Sequence, residues 1–191
     1  MKNIHIYGVM LSGLLLACCT QQEARKPVSH TSGTFIKESI QRNKKLINDE
    51  ETLIANIIKK DTAKSYIASP RGYWYRYDVK SETETTTPVK GDIAYFEYSV
   101  TNLEGEVIYT TEELQPQTYA VDKQNIMMGL RDGIKLMKKG EKITFLFPSH
   151  MAYGYHGDDD KIGTNQPIIC TVTLKDFKKD NTVKPTPKPT E

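Results

Sequence analysis

Ile126-Met127-Met128-Gly129-Leu130-Arg131-Asp132-Gly133-Ile134-Lys135-Leu136-Met137-Lys138-Lys139-Gly140-Glu141 reads as a short helix followed by its own stop signal. Apolar residues at Ile126, Met127, Leu130, Ile134 and Met137 recur at helical spacing. Lys138 and Lys139 set cations against the negative end of the helix dipole, and Gly140 ends the run. Its surroundings read as strands. Upstream, Asp92–Thr101 alternates, with Ile93 and Tyr95 on one face and Ala94, Phe96 and Tyr98 on the other. That run is apolar enough for burial on both sides. Leu103-Glu104-Gly105-Glu106 is a turn into a strand at 107–110, and 114–121 is a further strand candidate. Tyr73–Val79 is short and aromatic, which suits a strand, and 81–87 is a polar linker. Downstream come a strand at 141–148, a long loop at 149–166 and a last strand at 167–177. One short helix against several antiparallel strands gives an α+β class.

Before that unit the pattern changes. Ser69-Pro70-Arg71-Gly72 punctuates the chain as a boundary. Ahead of it, Ile36, Ile40, Leu46, Ile47, Leu53, Ile54, Ile57 and Ile58 fall on one stripe at helix spacing, interrupted by Asn43 and Glu50. The stripe suits a helix packed on the following domain, or a homodimer through residues 35–61. A membrane-surface helix fits worse, because the polar face is not strongly basic. At the amino terminus, Lys2 and a short apolar run lead to Leu15-Leu16-Ala17-Cys18, which resembles a bacterial lipobox. Lipidation of Cys18 would hold a folded body on a membrane through acyl chains. The expected organisation is a signal peptide (1–17), tether (18–34), helical extension (35–66), folded domain (70–178) and disordered Pro/Thr/Lys tail (179–191).

Composition narrows the function classes. The 191 residues are 38% hydrophobic and 26% charged with a net charge of +2, a balance that fits a globular domain with extensions. Lysines are scattered among acids, so nucleic acid has no electrostatic footprint. Three cysteines, two of them adjacent near the start, make no disulfide scaffold. His150, His156 and Asp158-Asp159-Asp160 share a loop, but their spacing matches no standard zinc or calcium pattern, and the run reads as a solvated acidic loop. Cys170 has no nucleophile's partners nearby in sequence and reads as a buried thiol.

Several runs occur together in an order similar to that of the FKBP-type peptidyl-prolyl isomerases. They are Pro88-Val89-Lys90-Gly91-Asp92, the Tyr98 strand, the Gly105 turn, Gly129 to Gly133, Leu136 to Glu141, and Pro148-Ser149-His150-Met151-Ala152-Tyr153-Gly154. The resemblance covers roughly residues 72–177. It implies an FKBP-like antiparallel sheet wrapped around one short helix, with an N-terminal helical extension. It also implies prolyl isomerisation of proline-containing segments with no cofactor and no metal. With the lipobox and extension, the chain is similar to the gliding-motility-associated lipoprotein branch of that family. That implies a lipid-anchored protein of the cell envelope, at the outer membrane facing the periplasm, assisting folding of exported proteins.

Rotation about an X–Pro bond meets a barrier of about 18–20 kcal/mol set by amide resonance. An apolar wall that strips water from the planar amide, with a few donors for flanking carbonyls, lowers it without a nucleophile. The resemblance assigns that wall to Tyr98, Ile126, Met127, Tyr153 and Ile162. The Met127 N–H and Tyr153 hydroxyl are the donors, and Ile162 closes the pocket. Ile108 takes a phenylalanine's place, Tyr109 an aspartate's, Leu130 the floor tryptophan's and Cys170 the last-strand aromatic's. Gln117 also stands where an aromatic is usual. Each lost aromatic weakens proline burial by about 1–3 kcal/mol. Two readings stay open: an isomerase, or a catalytically weak or inactive module that binds proline-containing segments in a motility or secretion complex.

Overall fold

The computed structural model describes residues 33–179. The expected signal peptide, Cys18, most of the tether, and the tail from residue 180 lie outside the described residues. The chain divides into two units, Met1–Ser39 and Ile40–Glu191. The first is described only over the opening turns of a helix; the sheet and core belong to the second.

That helix, α1 (Gly33–Lys60), covers the apolar stripe but stops six residues short of the expected end. The Asp61 N–H donates to the Ile57 carbonyl at 3.0 Å, and the chain then turns, with Tyr66 donating to the Asp61 carboxylate at 2.8 Å. The next residues form β1 (Ile67–Ser69), in the gap that the sequence reading left between the helical extension and the folded domain. It pairs antiparallel with β2 (Tyr73–Val79), so Ser69-Pro70-Arg71-Gly72 is a hairpin turn rather than a boundary. The turn closes with the Gly72 N–H on the Ser69 carbonyl at 3.1 Å, and Gly72 takes φ +83°.

The remaining elements are β3 (Asp92–Thr101), β4 (Val107–Tyr109), α2 (Thr111–Leu114), β5 (Gln117–Ala120), α3 (Met128–Gly133), a 3-10 turn (Ile134–Leu136), β6 (Lys142–Phe147), a second 3-10 turn (Ser149–Met151) and β7 (Ile168–Lys179). The seven strands run β1-β2-β6-β7-β3-β4, with β5 also on β3, and every pairing is antiparallel. The α+β class and the single sheet with one central helix are as expected. Two details differ. β3 buries only the face of Ala94, Phe96 and Val100, while Tyr95 stays exposed. The expected strand at 114–121 begins only at Gln117, because Thr110 and Glu113 form a reciprocal capping box that starts a helical turn first.

The core lies where α3 crosses the sheet. Phe145 and Phe147 of β6 stack with ring centroids 5.3 Å apart and an 8° interplanar angle. A Cβ on Gly129 would stand 2.5 Å from the Phe147 ring, and one on Gly133 2.8 Å from Phe145. The two glycines, one helical turn apart, therefore let the α3 backbone rest directly on the stacked rings. This contact sets how deep α3 sits and carries Leu130 into the core, 3% exposed.

Gly129→Ala tests that fit. Alanine favours a helix by about 1 kcal/mol over glycine, yet the substitution should destabilise the domain by about 1–3 kcal/mol because the core is overpacked. Urea denaturation measures the sign; a stabilised variant would mean that Phe147 has room to yield.

Candidate functional site

The site assembles where β3, β7, the start of α3 and the loop after β6 meet. β3 supplies Tyr98, whose ring lies 5.7 Å from Phe96. β7 supplies Cys170, which is fully buried and in register with Val100 on one side and Phe145 on the other. Met127 caps α3 in a non-helical conformation, and its carbonyl accepts from the Arg131 N–H at 3.0 Å. The first N–H groups of a helix have no partner within it, so the backbone around Met127 is a natural place for a donor to face outward. Ile126 and Met127 are half-buried against the same core cluster that buries Leu130, and so are Tyr98, Ile108, Tyr109 and Tyr153.

Tyr153 is held by backbone on both sides. The Ser149 carbonyl accepts from the Ala152 N–H at 3.0 Å and the Gly154 N–H at 2.8 Å. The Tyr98 and Tyr153 hydroxyls interact as a side-chain pair. Burial is the main cause pushing both phenols above their ordinary pKa, so both stay protonated at neutral pH. Tyr153 therefore carries an O–H that can donate. Burial also pushes the Cys170 thiol up, which leaves it an uncharged apolar filler rather than a nucleophile.

The loop closes over this wall through one carboxylate. Asp158 accepts from the Ile162 N–H at 2.8 Å and the Asp160 N–H at 3.0 Å through one oxygen, and from the Tyr109 hydroxyl at 2.5 Å through the other. The Asp158 N–H in turn donates to the Ile162 carbonyl at 3.1 Å. Gly157 takes φ +72° here, and any Cβ on it would collide with that carbonyl. The ring so closed carries Ile162 inward, 3% exposed. Burial alone would raise the Asp158 pKa, but the hydrogen bonds from Tyr109 and the two amides outweigh it and hold the carboxyl below its ordinary value. Desolvation and the neighbouring carboxylates raise the Tyr109 phenol, so it remains a donor. Lys161 lies 4.8 Å above the Tyr109 ring and pairs with Glu113 of α2 at 2.6 Å.

All nine wall and lining residues expected from the sequence pack on one core cluster. Leu130 and Cys170 are buried, so the smaller side chains are enclosed by their neighbours. Gln117 stands on β5 in register with Phe96, and its side-chain amide donates to the Leu114 carbonyl. Asp158 is the residue that sequence reasoning missed, having been read as part of a solvated acidic loop. The Asp160 N–H on its side chain is an Asx-type turn, and the only local signal for it was an aspartate just after a glycine. Among the described residues no group of three or more His, Cys, Asp or Glu is placed to hold a metal ion.

Residues 84–175 match the family model described as FKBP-type peptidyl-prolyl cis-trans isomerase. A probable FKBP-type peptidyl-prolyl cis-trans isomerase FkpA of Neisseria meningitidis serogroup B is 31% identical over 100 residues, 52% of this chain and 36% of that protein. The FKBP-type peptidyl-prolyl cis-trans isomerase FkpA of Aeromonas hydrophila is 28% identical over 160 residues, 83% of this chain and 55% of that one. The chain therefore spans about a third to a half of the length of these curated relatives. The crystal structure of FkpA from Escherichia coli superposes with a TM-score of 0.57 at 23% identity, covering 94% of this chain and 83% of the other, which shows a shared fold. The sheet, the glycine-seated helix and the matched segment agree: residues 84–175 are a domain of the FKBP-type peptidyl-prolyl cis-trans isomerase family.

Proposed function

We propose that this protein catalyses cis–trans isomerisation of X–Pro bonds in exported polypeptides while tethered to a membrane. The observation that carries the activity is the apolar wall of Tyr98, Ile126, Met127 and Ile162 around a buried Leu130, with a protonated Tyr153 hydroxyl at its edge. A proline ring against that wall loses the water that favours its planar amide. Tyr153 offers its proton to the carbonyl beside the proline, and the Met127 N–H takes the next one. The twisted amide keeps these hydrogen bonds while losing resonance, so the wall favours the transition state over the planar ground state. The clients are unfolded chains presenting proline beside apolar residues.

The rival reading, a binding module in a motility or secretion complex, draws on Tyr109, Leu130 and Cys170, where family aromatics or an aspartate are absent. The latched loop favours catalysis over that reading. Asp158 and Tyr109 pre-order Ile162, so less of the site has to be organised when substrate arrives. Cellular placement rests on the lipobox at Cys18 and on likeness to gliding-motility-associated lipoproteins. The lipobox supports a lipid anchor, and the likeness supports a place at the outer membrane facing the periplasm. Ile40 and Leu53 of α1 are 49% and 53% exposed and supply apolar surface for a homodimer through that helix.

A protease-coupled assay on Ala-X-Pro-Phe peptides decides the activity. The folded protein should accelerate isomerisation, and Tyr153→Phe should reduce kcat/KM by about tenfold, the loss of one hydrogen bond of about 1.4 kcal/mol. A rate equal to the uncatalysed blank, with folding confirmed by circular dichroism, overturns the enzyme reading.

Asp158 makes a pH prediction. Its folded pKa is depressed, so the ordering it gives is present above the unfolded carboxylate pKa and is lost as pH falls through the folded one. Exchange at the Ile162 amide should therefore be slow near neutrality and accelerate, relative to β7 amides, below the ordinary aspartate range. Asp158→Ala, which has no acceptor at all, should show fast exchange at every pH.

The anchor is checked by mass spectrometry of protein extracted from membranes. An amino-terminal Cys18 bearing acyl mass is expected, and an unmodified terminus in the soluble fraction would remove the tether.

A further inference from the structure

Glu50 breaks the apolar stripe of α1, yet it is 4% exposed. Its two carboxylate oxygens are both spent on one residue 99 positions away. Ser149 donates its N–H to one at 2.8 Å and its hydroxyl to the other at 2.7 Å. Ser149 opens the 3-10 turn Ser149–Met151, where N–H groups lack partners within the turn and negative charge is favoured. The carbonyl of this same Ser149 accepts from Ala152 at 3.0 Å and from Gly154 at 2.8 Å, the two residues flanking Tyr153. One residue is thus gripped by α1 on its N–H and hydroxyl, and grips both neighbours of Tyr153 through its carbonyl. Ile54, one turn along α1 from Glu50, is fully buried and fixes the helix at that point.

We infer that Glu50 is a positioning residue for the isomerase reaction, through which the helical extension sets where the Tyr153 hydroxyl stands. This rests on the isomerase reading given above. A donor helps only when it lies within hydrogen-bond reach of a carbonyl whose amide is turning, and a misplacement of about 1 Å can cost about a hundredfold in rate. Removing Glu50 leaves the Ser149 N–H and hydroxyl without partners and frees its carbonyl to tilt. Tyr153 then loses its fixed place although every wall residue remains.

The test uses the full-length chain with Glu50→Ala, Glu50→Gln, Tyr153→Phe and the double variant Glu50→Ala/Tyr153→Phe. Glu50→Ala should lower kcat/KM on Ala-X-Pro-Phe peptides by about five- to tenfold, no more than deleting the Tyr153 hydroxyl does. Glu50→Gln should recover part of that loss, because its amide oxygen still accepts from Ser149. With Tyr153→Phe already present there is no hydroxyl to place, so Glu50→Ala should cost no more than about twofold further. Equal fractional losses in both backgrounds would mean a general structural role and would overturn the assignment.

Amide exchange gives a readout that needs no activity. In Glu50→Ala the Ala152 and Gly154 amides should exchange at least about tenfold faster, while Val172 in β7 keeps its rate. Uniform acceleration, or none, overturns the latch. Should Glu50→Ala fail to fold, Glu50→Gln carries both comparisons. If the unaltered protein shows no isomerase activity, the function reading falls, and exchange alone decides whether Glu50 holds the Tyr153 loop.

Discussion

The close approach of α3 to the stacked Phe145 and Phe147 rings is the constraint on which the domain rests. Protein interiors tolerate little excess volume. A helix bearing side chains at positions 129 and 133 would therefore stand farther from β6. Leu130 would then leave the core, and Ile126 and Met127 would swing away from Tyr98. Bare backbone on aromatic faces lets six helical residues do the covering that longer helices do elsewhere. The wall is a by-product of that seat: its lower edge is the helix, and its sides are the two neighbouring strands.

Beyond the 3-10 turn Ser149–Met151, the loop above the wall has no helix or strand to hold it, and carboxylates take over. Asp158 ties the loop to itself and to β4, and Glu50 ties the loop's origin to α1. A third, Glu141, is 1% exposed and accepts from the backbone of Ser81 and Lys138 at 3.1 and 2.8 Å, holding the β2–β3 connection to the turn before β6. In each case the carboxylate accepts backbone amide hydrogens of a loop or turn. Hydrogen bonds to charged groups are the stronger kind, so three side chains order loops that have little apolar surface of their own.

Sequence patterns carried the parts of the structure whose cause is local. Alternation placed β3, and helical spacing placed α1 and α3. The order of short runs from Pro88 to Gly154 placed the wall. What escaped was either too short or too distant. β1 has three residues and no alternation to read. At Thr110 and Glu113 a capping box was present in the sequence, but the apolar residues after it suggested a strand. Asp158 and Glu50 act across 49 and 99 residues, and no spacing rule relates them to Tyr109 or Ser149. Each was judged by its chemistry alone, one as solvated charge and the other as a flaw in a stripe, when burial by a remote partner was deciding both.

β4 and β5 pair with the same edge of β3, so the chain between them departs and rejoins one strand without changing sides. Such an excursion can lengthen at little entropic cost, since closure entropy grows only slowly with loop size. Lys161 reaches Glu113 within it, which sets the excursion against the rim of the loop that carries Ile162. New residues inserted there would border an incoming polypeptide while leaving strand register intact. On the proposed isomerase reading, the architecture separates changes in client preference from the preservation of its core.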